Sequence, residues 1–110
     1  MSTDFLCHTH DVEEGDARGF MHEGVTLIVA HREGSFYVYK NRCPHRSIPL
    51  EWNPDQFLDT DRNFIQCSTH GALFRIEDGL CVTGPCVNDR LESVRFYIED
   101  DKLKVGVKRA

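Results

Sequence analysis

The sequence lacks any apolar run near the roughly 20 residues that a membrane-spanning helix requires. Its first residues, MSTDFLCHTHDVEEGD, offer neither a basic n-region nor an apolar h-region, so the expected home is the cytoplasm. Positive charge is also short. Thirteen Lys and Arg against 18 Asp and Glu leave a net charge of −5, which gives no footing for nucleic acid or an anionic membrane. A basic or neutral protein partner fits better. With 110 residues, the chain has no room for a cofactor domain beside a catalytic one, and residues 1–110 read as a single domain. Internal repeats, low-complexity tracts and domain boundaries are absent from the pattern. The five cysteines form no even-numbered disulfide framework, so each reads as a ligand or as core filler.

What remains is β-type. Short runs rich in Val, Ile, Phe and Tyr occur at Val25–Arg32, Ser35–Lys40, Phe64–Cys67, Leu73–Ile76, Ser93–Ile98 and Lys102–Val107. Turn signals stand between them at Glu33-Gly34, Asp78-Gly79, Gly84-Pro85 and Asp100-Asp101. The expected class is all-β, a compact antiparallel domain. Positions 48–63, with Pro49 and Pro54, break the rhythm. Leu50, Trp52, Phe57 and Leu58 give that excursion something to bury, and a short helical turn is expected near Asp55–Leu58.

Two unequal pairs carry the chemistry: Cys43-Pro44-His45 and Cys67-Ser68-Thr69-His70, separated by positions 46–66. A structural zinc site accepts two thiolates and two imidazoles, although a one-residue gap is awkward for zinc arms, which usually space their ligands by about two to four residues. A Cys/His nucleophile with its base would leave the second pair surplus. A cluster with two unlike irons would use both pairs, if the thiolates hold one iron and the imidazoles the other.

Cys43-x-His45 followed by Cys67-x-x-His70-Gly71 resembles the Rieske 2Fe-2S signature, and DGLCVTGPC (Asp78 to Cys86) resembles the proline-bearing third loop of that family. The resemblance spans about Val25 to Val107. It implies a Rieske-like sandwich or barrel with a small cluster-binding subdomain of two loops, within about residues 41–86. It further implies one 2Fe-2S cluster held by Cys43, His45, Cys67 and His70, with the His-ligated iron taking and releasing the electron. No catalytic residue is implied. The expected role is a one-electron carrier between redox protein partners, a reductase as donor and an oxygenase or reductase as acceptor. The alternative is a small Rieske subunit of a larger oxidoreductase, such as a nitrite reductase or a ring-hydroxylating oxygenase system. A self-contained oxygenase is disfavoured, because its mononuclear iron needs two His and a carboxylate, and only His8, His10, His22 and His31 remain.

Departures from the family pattern narrow the subtype. Relatives in respiratory complexes carry an extra loop cysteine on each arm, where this chain has Ile48 and Thr69. They also place hydroxyl donors where this chain has Ala72 and Phe74. Fewer hydrogen bonds to sulfur stabilise the reduced cluster less and lower its potential, which points to a ferredoxin type. Ser47 stands where relatives often have glycine, and nothing in the sequence accounts for it.

The other candidates have plainer readings. Strand alternation across CHTH would put His8 and His10 on one face and Cys7 on the other, an edge segment rather than a metal site, since two exposed histidines rarely hold an ion. Cys81 and Cys86 read as small buried residues. Arg42, Arg46 and Arg75 either dock an acidic partner, stabilise the reduced cluster, or are solvated loop residues. Pro44, Ile48, Leu50 and Pro85 are candidates for an apolar rim at the docking surface.

Overall fold

The uninterrupted apolar run Leu27–Ala30 is what a strand buried on both faces looks like in sequence. The computed structural model, which describes residues 5–42, 57–59, 63–67, 72–84 and 89–106, makes that run the centre of the molecule. Nine strands are described: β1 Phe5–His8, β2 Asp16–His22, β3 Val25–Arg32, β4 Ser35–Lys40, β5 Phe64–Gln66, β6 Leu73–Arg75, β7 Cys81–Thr83, β8 Phe96–Glu99 and β9 Lys102–Val105. They pair antiparallel into three three-stranded sheets, ordered β1-β9-β8, β2-β3-β4 and β5-β6-β7. A single 3-10 turn, Thr9–Asp11, is the one helical element among the described residues. The expected all-β class and antiparallel pairing are what the structure has.

Successive residues of β3 face opposite sides, and so divide between two cores. Ile28 and Ala30 pack with Tyr39, Ile65, Cys67, Phe74 and Cys81. Leu27 and Val29 pack with Leu6, Cys7, Val38 and Leu103. The sheet β2-β3-β4 is therefore the middle layer, with β5-β6-β7 on one face and β1-β9-β8 on the other.

Three hairpins close through two-residue turns with both central residues at positive φ: Glu23-Gly24 (49°, 81°), Glu33-Gly34 (51°, 78°) and Asp100-Asp101 (53°, 63°). This is the type I′ signature, whose twist matches that of the flanking strands.

The strand readings need four corrections. β1 runs only to His8, and the chain turns at Thr9, so His10 is not on a strand. β2 and β7 were missing from the sequence pattern: β2 buries only Ala17 fully, and β7 is three residues long. The run at Ser93–Ile98 changes partners midway. Lys40 N–H donates to Glu92 (2.9 Å) and Val94 N–H to Val38 (2.9 Å), whereas Phe96 to Glu99 pair with β9. That switch ties the middle sheet to an outer one. Finally, Leu58 forms a bridge with Ile65, so the described end of the excursion is extended where a helical turn was expected. Asp55 and Gln56, like Trp52, lie outside the described residues.

Tyr39 is buried on β4 and its hydroxyl donates to the Ile76 carbonyl. Removing that hydroxyl in Tyr39→Phe leaves a buried carbonyl unsatisfied and is expected to cost about 1–3 kcal/mol in denaturant unfolding. Burial is also the main reason the Tyr39 phenol is pushed up, with the Asp78 charge adding to it. Burial likewise raises the Cys7 thiol from 9.0 to about 11, helped by Asp11. Both shifts act with the same sign. Between about pH 9 and 11 the folded chain keeps the Cys7 proton that the unfolded chain has released, so stability falls as pH rises through that window. The expected result is a urea midpoint that drops from pH 8.5 to 11, with a smaller drop in Cys7→Ala; equal drops in both proteins would contradict it.

Candidate metal centre

Three loop roots converge on one core. The first is the end of β4, where Asn41 N–H donates to Thr26 (2.9 Å) and Arg42 N–H donates to Lys40 (2.8 Å), fixing the backbone up to the residue before Cys43. The second is a rung beyond β5 and β6, in which Cys67 N–H donates to the Ala72 carbonyl at 2.8 Å. Positions 68–71 connect the two ends of that rung. The third encloses positions 85–88: Cys81 N–H donates to Asp89 (2.8 Å), Leu91 N–H donates to Gly79 (2.9 Å), and Leu80 bridges Arg90.

Gly84 joins the third root to the second. At φ +109° it lies so close that a Cβ there would meet both Cα and Cβ of Ala72 at 2.9 Å. Tyr39 at the first root, Cys67 and Ala72 at the second, and Cys81 and Leu91 at the third all belong to the same buried cluster.

Cys67 is the predicted ligand that falls among the described residues, and its thiol is free and fully buried. Its core neighbours Ile65, Ala72 and Phe74 are apolar, and among the described residues no polar or charged residue is fully buried. A thiolate there would be an uncompensated buried charge unless a metal balanced it. A dry, soft donor suits iron-sulfur chemistry and is unsuited to a hydrated hard cation. The donor fits the cluster expected from the sequence.

Cys43, His45 and His70 lie outside the described residues, as do Pro44, Arg46, Ser47, Ile48, Leu50, Thr69, Pro85 and Cys86. Cys81 is buried opposite Phe74 on β7, as core filler should be, and its thiol donates to the Thr83 carbonyl at 3.3 Å. Arg42 is exposed at the first root. Arg75 is half exposed and pairs with Asp78 at 3.3 Å.

The sequence pattern of the Rieske [2Fe-2S] domain matches residues 2–99. The chain belongs to this family. This Rieske protein therefore carries a single Rieske-type 2Fe-2S cluster, which removes the zinc alternative. It is 28% identical over 82 residues to ferredoxin CarAc of Metapseudomonas resinovorans, a match covering 74% of this chain and 72% of that one. Its fold superposes on Sphingomonas yanoikuyae B1 ferredoxin with a TM-score of 0.77 and 25% identity, covering 97% of this chain and all (100%) of the other. A ferredoxin solved in complex with the oxygenase of carbazole 1,9a-dioxygenase also shares the fold, with a TM-score of 0.73 and 22% identity, covering 92% of this chain and 89% of that one. These relatives are ferredoxins. No helix among its described residues is long and apolar enough to cross a membrane.

Proposed function

We propose that Cys43, His45, Cys67 and His70 hold the cluster and that the protein delivers single electrons to the oxygenase component of a ring-hydroxylating system, receiving them from a reductase. The observation that carries the reading is the convergence of three loop roots on the buried Cys67 thiol. When bound, the cluster supplies the one-electron chemistry. The chain's part is to hold the arms on a rigid sheet, keep water from the thiolates and leave the loops as the face toward a partner. The complex of a related ferredoxin with a dioxygenase supports the choice of acceptor. We also read residues 1–110 as one domain working in the cytoplasm; β3, shared by both cores, supports the first part.

Ala72 and Phe74 are fully buried beside the Cys67 rung and bring no hydroxyl to it. This supports a potential in the lower part of the Rieske range of about −150 to +300 mV. The test combines iron and acid-labile sulfide analysis, low-temperature EPR of the reduced protein, and turnover with a purified oxygenase and reductase. Two irons and two sulfides per chain, a mixed-ligand signal and turnover dependent on the loaded carrier are expected. A loaded protein that is never oxidised by any such oxygenase would overturn the acceptor, and a His70→Ala variant with normal iron, sulfide and reduction would overturn the ligand set.

A further inference from the structure

The 3-10 turn after β1 assembles a second group of metal-binding side chains away from the cluster arms. His8 ends β1, and His10 and Asp11 lie in the turn itself. The ligand atoms of these three residues all lie within 4.8 Å of one another. His8 Nδ1 is 3.7 Å from Asp11 Oδ2, and His10 Nε2 is 3.7 Å from Asp11 Oδ1, so each ring turns a nitrogen toward a different carboxylate oxygen. The two imidazoles stack at 5.1 Å between centroids, 18° from parallel.

The backbone beneath is held on both sides. The Asp11 carboxylate accepts the His8 N–H at 2.8 Å, the Thr9 N–H donates to Asp101 at 2.9 Å, and the Arg18 guanidinium donates to the Asp11 carbonyl at 3.2 Å. The side chains stay accessible, with His10 76% exposed. Glu13 and Glu14 line the same cleft as His10, which adds negative potential, against Lys102 opposite His8 in the β1–β9 register.

We propose that His8, His10 and Asp11 form a surface site for a late first-row divalent cation, of which zinc is representative. Two imidazoles and a carboxylate select such ions over magnesium or calcium, which prefer all-oxygen sites. Zinc bonds of about 2.0–2.2 Å in a tetrahedral arrangement set two donors on one ion roughly 3.3–3.6 Å apart. Ligand atoms that already lie within 4.8 Å of one another thus need to close by little more than about 1 Å, a swing open to side chains that are partly or mostly exposed. The flanking residues Cys7 and Val12 belong to the core on the opposite face of the middle sheet from Cys67, so the site is separate from the cluster. Its role is to clamp the turn between β1 and β2.

The test is equilibrium dialysis of the cluster-loaded protein against micromolar zinc, followed by zinc and iron analysis and a thermal melt. One zinc per chain beyond the cluster irons, unchanged visible absorbance and a raised melting temperature are expected, with His10→Gln losing both the zinc and the rise. His10 is mostly exposed, so that variant retains the fold, and Asp11→Asn gives a second check on the carboxylate. Failure of the wild type to retain zinc, equal retention by His10→Gln, or iron lost in proportion to zinc gained would each overturn the site. The cluster irons are counted separately, so this outcome is independent of the proposed ligand set at the arms.

Discussion

Replacing Cys67 with alanine is expected to give a colourless protein without acid-labile sulfide, whereas Cys81→Ala keeps a full cluster. The two thiols make a stringent pair, because neither is in a disulfide, both are almost wholly buried, and both belong to one core. Removing either sulfur leaves a similar small void, worth about 1–2 kcal/mol by the cavity term. Packing alone therefore predicts matched, modest losses. Cys67 differs in its place: it forms the rung with Ala72 at the root of the second arm, while Cys81 lies opposite Phe74 on β7. With the proposed ligand set, only Cys67→Ala removes a donor, and a cofactor that binds the folded chain alone takes its stabilisation with it when lost. Iron and sulfide analysis with thermal melts of both variants decides the matter. Retention of the cluster in Cys67→Ala, or its loss from both variants alike, would remove Cys67 from the ligand set.

Gly84→Ala is expected to lower the melting temperature by on the order of 10 °C or more and to reduce iron content. Two costs coincide at this position. A φ of +109° is a conformation that L side chains rarely adopt, at roughly 1–2 kcal/mol. A Cβ also meets Ala72 Cα and Cβ at 2.9 Å, and neither atom is the end of a flexible side chain. Overpacking of this kind typically costs about 1–3 kcal/mol. In a domain of this size each kcal/mol moves the midpoint by about 4–8 °C. Gly34→Ala provides the control, because Gly34 has φ +78° but nothing within 4 Å of an added Cβ. It should show the smaller backbone cost alone and load iron normally. Equal effects in the two variants would mean that contact with Ala72 is unimportant.

Much of the fold was legible because it is local. β3 and β4 have the predicted bounds, since a hairpin closed by Glu33-Gly34 has both its strands and its turn written in consecutive residues. β2 was not legible, although it pairs with β3 along its whole length. Its residues DARGFMH lack alternation, and β3 supplies the template for its pairing. The CHTH segment shows the same limit from the other side. Alternation correctly separated buried Cys7 from partly exposed His8, yet it misplaced His10 on the strand and missed Asp11, because side chains gathered by a turn have no strand period. The spacing His8-x-His10-Asp11 was the available signal.

The sequence by itself pointed to the family of this protein, through two Cys/His arms that resemble the Rieske signature, and short β-branched runs between turn residues specify strands. The tertiary structure decided which strands share a partner, how residues 92–99 pass from β4 to β9, that Gly84 seats the third loop on Ala72, and that Cys81 is packing while Cys67 stands at a root. The physical reason is the range of the interactions. Ligand type and turn preference are properties of neighbouring residues, whereas sheet pairing and burial arise between segments far apart in the chain, where a local pattern states that a strand needs a partner without naming it.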